Sequence, residues 1–194
     1  MRQLDQRGPA ALAIAALLAL LAFLLSACGG GGDDSTTSNV SAPAANSFPA
    51  TSGGTLQDLV EKSGAKPDRD LVVSPAGKTF AVGRNRFGFG VFTADFTPID
   101  DADVAIYVAH GPDGNAQGPY PARIESLATD PAFTAQTTAN DPDSAKVVYV
   151  TDLNLDQPGE WRMLALVRRG DELNASLLPS AVVKTNSPVP VVGD

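Results

Sequence analysis

The sequence predicts an all-β fold, an antiparallel β-sandwich preceded by one short helix. Apolar and polar residues alternate with a period of two in four segments, the pattern of strands that bury one face. Gly, Pro, Asn and Asp separate these segments, which favours a sandwich over alternating βα units. The four segments are residues 86–92, 103–108, 146–151 and 161–167, and weaker strand candidates lie at 71–73, 78–82, 120–126, 172–177 and 181–184.

The helix is predicted over residues 55–64 by its end signals. Thr55 suits the N-cap, Asp58 follows three residues later, and Gly64 suits the C-cap. The apolar residues between these caps fall on one face of the helix. We therefore expect this face to dock on the sandwich.

Two glycines interrupt the first strong strand, where glycine weakens a β-ladder. Gly88 and Gly90 either make room for a bulky side chain from the facing layer, with Trp161 as the candidate, or let a partner approach the backbone. The packing explanation is favoured, and the sequence leaves both open.

The N-terminal segment predicts export. Arg2 and Arg7 precede an apolar run from Ala10 to Leu25, and small residues follow it. This run is shorter than the roughly 20 residues that a spanning helix needs. Leu25-Ser26-Ala27-Cys28 resembles the lipobox of bacterial lipoproteins, which implies cleavage before Cys28 and a diacylglyceryl group on its sulfur. The expected location is the extracytoplasmic face of the cell membrane, with the membrane as partner through this lipid anchor.

The domain organisation follows from composition. We expect a signal peptide over 1–27, a flexible tether rich in Gly, Ser and Pro over 28–54, and a β-sandwich domain over 55–185. Residues 186–194 form a Pro-containing linker or tail. The 55–185 segment is long enough to bury a core without disulfides.

Charge and cysteine content exclude several functions. The chain has 14 basic and 22 acidic residues, so it lacks the basic surface that nucleic-acid binding requires. This acidity also repels anionic lipid headgroups, which leaves the lipid anchor as the expected membrane contact. With Cys28 as its one cysteine, the chain can form no internal disulfide and has no Cys-x-x-Cys motif.

No catalytic, cofactor or metal site is predicted. His110 is the single histidine and Met163 occupies a strand, so the chain lacks both a Cys–His pair and a set of soft metal ligands. Acidic clusters at 100–103 and 141–143 do not have the spacing of a calcium loop and are interpreted as solvated turns. The sequence contains no phosphate-binding glycine loop or Gly-x-Ser-x-Gly elbow. We expect a protein that is not an enzyme.

One long connection is the predicted contact site. Residues 127–144 exceed the usual length of a structureless loop, and such loops are commonly functional or disordered. Asp130, Phe133, Asp141 and Asp143 are its candidate partner-contact residues. Phe133 is also expected to anchor the loop by folding back onto the sandwich.

The strand sequences carry a second resemblance. Residues 84–123, DPDSAKVVYVTDL and QPGEWRMLALV resemble an immunoglobulin-like module of secreted bacterial lipoproteins. In that family the module commonly precedes a thioredoxin-like domain, and this sequence ends before one. We therefore expect a module associated with a thioredoxin-like protein or truncated from one, and the sequence does not decide between a truncated product, a stand-alone module and a fragment. The resemblance implies a non-catalytic binding or scaffolding module whose partner is a thioredoxin-like domain or another envelope protein. The alternative is a small-ligand or metal-ion binder in envelope redox or metal homeostasis.

Overall fold

A computed structural model describes residues 39–141 and 143–185. Cys28, the lipobox and the 186–194 segment lie outside the described residues. The described chain contains two α-helices, α1 (Leu56–Ser63) and α2 (Gln136–Ala139), and short 3₁₀ turns at Ala45–Ser47 and Pro131–Phe133. Its strands are β1 (Lys66–Pro67), β2 (Leu71–Pro75), β3 (Phe80–Ala81), β4 (Gly83–Thr93), β5 (Asp103–His110), β6 (Gln117–Pro121), β7 (Arg123–Ser126), β8 (Val147–Leu155), β9 (Gly159–Arg169) and β10 (Glu172–Lys184).

The strands form two sheets that pack face to face as an all-β sandwich. One sheet has the order β1-β10-β9-β5-β6, with β3 also paired to β10, and the other has the order β2-β4-β8-β7. The pairs are antiparallel except that the short strands β1 and β3 run parallel to β10. The four strong strand predictions and the predicted sandwich are therefore confirmed.

The weaker strand predictions differ in detail. The 120–126 candidate divides into β6 and β7, which lie in different sheets. The candidates at 172–177 and 181–184 form the single strand β10, whose register shifts between Leu178 and Ala181. A β-bulge at this shift explains why Pro179 and Ser180 interrupt the apolar pattern without ending the strand.

The main core lies between the sheets and follows the period-two pattern. In β4, Phe87, Phe89 and Val91 point inward and are almost fully buried. The rings of Phe87, Phe89 and Tyr149 form a continuous stack, with neighbouring centroids 5.3 and 5.6 Å apart. Trp161 on β9 is fully buried, and its indole N–H donates to the Gln157 carbonyl at 2.9 Å. Because this hydrogen bond pairs the indole N–H, the tryptophan ring can occupy the core without leaving a buried polar group unpaired.

A second core covers the outer face of the β10-β9-β5 sheet. Tyr107 and Leu166 project from this face and are fully buried because Leu56 and Leu59 of α1, together with Phe48, pack over them. Helix α1 has the predicted capping box between Thr55 and Asp58, and Gly64 ends it in the left-handed conformation with φ 70°. Both the helix and its docking face are thus confirmed.

The tether expected over 28–54 differs from the structure over residues 39–54. Phe48 is buried, the Tyr107 hydroxyl donates to the Pro49 carbonyl at 2.7 Å, and the Arg168 guanidinium donates to the Ser47 carbonyl at 2.6 Å. Val40 pairs with Ile124 beside β7. Small and polar residues dominate this segment, but one large apolar side chain and several backbone hydrogen bonds hold it on the sheet.

Gly90 does make room for a bulky group, but the group differs from the one expected. A Cβ at position 90 would clash with the Phe92 ring, which covers Gly90 on the outer face of the same strand. Trp161 instead packs in the core between the sheets. A Cβ at Gly88 would make ordinary contacts with Val148 and Ala76. Packing therefore accounts for Gly90, and its partner comes from its own strand.

Candidate functional site

Three connections meet at one end of the sandwich, because β4, β7 and β9 all run toward that end. The register pairs Asp103 at the start of β5 with Arg168 near the end of β9, and Ser126 at the end of β7 with Val147 at the start of β8. We call this end the loop end and define it by residues 94–102, 127–146 and 170–171. Binding residues concentrate on such loops because a rigid scaffold positions them.

The β4–β5 connection presents an aromatic side chain in a strained turn. Phe96 has a φ of 65° and is 72 % exposed. The Phe96 N–H donates to the Thr93 carbonyl at 3.0 Å, and the Thr93 N–H donates to the Thr97 carbonyl at 3.0 Å. Asp95 accepts hydrogen bonds from the hydroxyls of Thr93 and Thr97, and the Thr93 bond is the main reason that the Asp95 pKa is lowered. The turn therefore holds an aromatic residue in a conformation that is rare for it.

A buried tyrosine supports the base of this turn. The Tyr149 hydroxyl donates to the Ile99 carbonyl at 2.7 Å and accepts from the Ala102 N–H at 3.1 Å. Burial raises the Tyr149 pKa to about 12, so the hydroxyl stays protonated and can make both bonds. Partial burial also raises the pKa of Asp100, while Lys146 at the base of the 127–146 loop opposes this rise. Because Tyr149 lies near the start of β8, directly after the 127–146 loop, its two hydrogen bonds join the base of that loop to the 94–102 connection.

The long loop is built from local side-chain caps. The Leu127 N–H donates to the Lys146 carbonyl at 2.9 Å and closes its base. Asp130 accepts from the Ala132 N–H at 2.8 Å and caps the 3₁₀ turn, and Asp141 accepts from the Asp143 N–H at 3.0 Å. These aspartates are exposed, so the loop places Asp130, Asp141 and Asp143 at its surface.

Phe133 does not anchor this loop, and that expectation was wrong. Its side chain is 82 % exposed on the Pro131–Phe133 turn. The Thr129 and Thr134 hydroxyls, 3.1 Å apart, and the Asp130 cap shape the turn without it. An aromatic ring that the fold does not need is therefore left in solvent.

The other candidate residues lie elsewhere or form no site. His110 ends β5 at the opposite end of the sandwich, where its Nε2 lies 3.1 Å from the Pro158 carbonyl and its ring meets Trp161 edge-on. Over residues 39–141 and 143–185, no group of three His, Cys, Asp or Glu side chains could hold a metal ion. No helix within these residues is long and apolar enough to cross a membrane.

Phe96 is an exposed aromatic residue of the loop end that the sequence did not single out. Its neighbours Thr93, Asp95 and Thr97 are turn formers, and an aromatic residue between them is the one available signal. A positive φ at a phenylalanine cannot be read from the sequence, because phenylalanine is not a residue that favours this conformation.

A groove lies away from the loop end, between α1 and the outer face of β9 and β10. It encloses about 410 Å³. Its lining is mostly apolar and includes Leu56 and Val60 of the helix, Leu164 and Leu177 of the strands, and the polar residue Arg162 at one wall.

Comparisons with known proteins give no family for this chain. No protein-family model matches it, and no curated protein is significantly similar to it.

Proposed function

We propose that this chain is a lipid-anchored, extracytoplasmic binding or scaffolding module that contacts a partner protein through its loop end and catalyses no reaction itself. One observation carries the proposal: Phe96 and Phe133 are 72 % and 82 % exposed on adjacent connections at the same end of a well-packed sandwich. Exposed aromatic side chains are enriched among the residues that dominate protein interfaces. Neither ring contributes to a core, so the fold gives no reason for either.

The strand order supports the resemblance to an immunoglobulin-like module. In such sandwiches, lettered along the chain, one sheet has the order A-B-E-D and the other contains G-F-C. Assigning the letters A to G to β2, β4, β5, β7, β8, β9 and β10 gives these orders, with β6 beside C. The B–C and F–G connections, which bind antigen in antibody domains, then lie at the loop end. Trp161 departs from the antibody pattern because it lies on F and not on C.

The partner on this interpretation is a protein at the membrane surface. The Ser126 N–H donates to the Asn39 side-chain oxygen at 2.8 Å, so the described chain begins at the loop end. The eleven residue steps from Cys28 to Asn39 reach at most about 40 Å. With Cys28 as the lipid attachment site, Asn39 therefore stays within this distance of the bilayer. A thioredoxin-like domain or another envelope protein fits this position.

Photo-crosslinking in intact cells tests the contact surface. We would replace Phe96 or Phe133 by a photoreactive phenylalanine analogue, which keeps an aromatic side chain at each position. Val182 is the matched control because it is 60 % exposed and pairs with Glu160 on β9, at the opposite end of the sandwich. We expect one protein adduct of the same mass from positions 96 and 133 and none from 182. Equal adducts at all three positions, or none at 96 and 133, would contradict the proposal.

Cell fractionation tests the anchor separately. Cys28→Ser removes the thiol that would carry the diacylglyceryl group, so we expect the variant to leave the membrane fraction. Ser26→Ala is a suitable control because it keeps a small residue before the cysteine. A Cys28→Ser variant that stayed in the membrane fraction would contradict the lipid anchor. It would indicate instead that an uncleaved N-terminal helix holds the protein in the membrane.

A small-ligand binder is the second candidate function, and the groove beside α1 favours it. Cavities of about 300–1,000 Å³ with mostly apolar walls and a few polar groups are typical of ligand sites. The groove, at about 410 Å³, falls in this range. No comparable geometry in the described residues favours a metal-ion binder.

A further inference from the structure

The groove beside α1 has an apolar floor made by small residues. Ala109 and Ala175 project from the outer face of the sheet and leave space that larger side chains would fill. Leu56 and Val60 of the helix form one wall, and Leu177 of β10 forms the facing wall. The helix covers the sheet beside the groove but leaves this strip open.

Leu177 shows that the strip is not fully covered. This residue lies within β10 on the outer face of the sheet and is nevertheless 77 % exposed. Its neighbours Ala175 and Leu164 are buried on the same face. Burying a leucine side chain is favourable, so an apolar ligand that covered Leu177 would gain free energy that the free protein lacks.

The polar groups of the groove set the charge of such a ligand. Arg162 lies on β9 at the wall, is exposed, and forms no ion pair with any residue of the described chain. Four other arginines, in contrast, have carboxylate partners; they are Arg84, Arg86, Arg123 and Arg169. Gln57 adds an uncharged group on the helix side, and Asp113 adds a carboxylate at the β5–β6 turn. A guanidinium binds a carboxylate through two parallel hydrogen bonds.

We propose that this groove binds an amphiphile with an elongated apolar body and one anionic head, a long-chain carboxylate being the simplest case. The apolar body lies along the floor between α1 and β10, and the carboxylate pairs with Arg162. Asp113 also lines the groove and repels negative charge, so the anionic head binds only where Arg162 compensates for this repulsion. This site is separate from the loop end, and neither proposal depends on the other.

Titration with three head groups on the same chain tests the proposal. Dodecanoate, dodecanol and dodecyltrimethylammonium share an apolar body and carry negative, neutral and positive heads. Binding to the full mature chain would be followed by calorimetry and by amide chemical shifts, below the concentration at which each amphiphile forms micelles. We expect dodecanoate to bind most tightly and to shift the amides of residues 56–60 and 175–177. No binding of dodecanoate, or tighter binding of the cationic amphiphile, would overturn the proposal.

Two variants separate the head-group contact from the apolar contact. Arg162→Gln should weaken dodecanoate binding about tenfold or more and leave dodecanol binding unchanged, because a charge-assisted hydrogen bond is lost. Arg84→Gln is the matched control, since Arg84 is an exposed arginine on the other sheet. Leu177→Ser should weaken binding of both ligands, and its exposed position leaves the fold intact. If Arg162→Gln and Arg84→Gln had equal effects, Arg162 would not be the head-group partner and the proposal would fail.

Discussion

Replacing Phe48 by alanine tests whether residues 39–54 belong to the folded domain. Phe48 precedes α1 by eight positions and lies in a segment whose composition is typical of a flexible tether. In the structure it is 5 % exposed and packs in the second core with Tyr107 and Leu166. The Arg168 guanidinium also lies over its ring, 5.6 Å from the centroid. Phe48→Ala should therefore lower the free energy of unfolding by very different amounts, depending on whether the segment is docked or is a flexible tether.

The expected cost follows from the burial of the ring. Truncating a buried phenylalanine to alanine removes its transfer free energy and leaves a cavity, which together cost about 3–5 kcal/mol. The cation–π contact with Arg168 adds about 0.5–1 kcal/mol, because the arginine is only partly buried. We expect Phe48→Ala to lower the free energy of unfolding by about 3–4 kcal/mol, since an edge segment relaxes more easily than the centre of a core. In a flexible tether the same change would cost almost nothing.

Urea denaturation of the protein measures this difference, with Phe133→Ala as the control. The control makes the same chemical change at a position that is 82 % exposed, so its cost should stay within about 0.5 kcal/mol. Both variants should unfold with the slope of the wild type, so that the midpoints report stability. Equal midpoints for Phe48→Ala and Phe133→Ala would refute the docking of this segment.

Three further changes test the helix and the loop end. Thr55→Ala removes the N-cap of α1 and should cost about 1 kcal/mol, measured by urea denaturation; a loss below about 0.3 kcal/mol would contradict the cap. The backbone and hydroxyl hydrogen bonds of Thr55 lower the Asp58 pKa, so this carboxylate stabilises the fold above its unfolded pKa of about 3.9 and loses the effect as the pH falls through the lowered value. Asp58→Ala should therefore flatten the acid limb of stability against pH, and an unchanged limb would argue against the bond. Tyr149→Phe leaves the Ile99 carbonyl and the Ala102 N–H without their partner and should cost about 1–3 kcal/mol. Faster amide exchange at Ala102 would show the loss directly, and unchanged exchange would contradict the supporting role.

Local patterns predicted the sandwich well because each strong strand buries one face in the main core. In β5, Val104, Ile106 and Val108 point inward at a spacing of two, as the sequence indicated. The intervening residues Ala105 and Tyr107 are also fully buried. Strands that are buried on both faces have continuous apolar runs. The same run in β5 was thus a signal for a third layer, although it does not say which segment provides that layer.

Only the position of the long loop in the chain could be predicted from the sequence, and the orientation of its side chains could not. Loop length marked residues 127–144, but the orientation of Phe133 depends on whether any apolar surface lies within reach of it, and this is a property of the folded sheets. The adjacency of Phe96 and this loop depends on the pairing of β4 with β8, which brings together residues far apart in sequence. Single-sequence patterns carry no information about such pairings.

Intact-mass spectrometry of the protein purified from native membranes tests lipid anchoring most directly, and the proposed function depends on this anchoring. We expect a mature chain that begins at Cys28 and carries a diacylglyceryl group on the sulfur, with a further acyl chain on the amine as an allowed addition. A chain that still began at Met1, or one that began at Cys28 without any lipid, would contradict the proposal that this module works at the membrane surface.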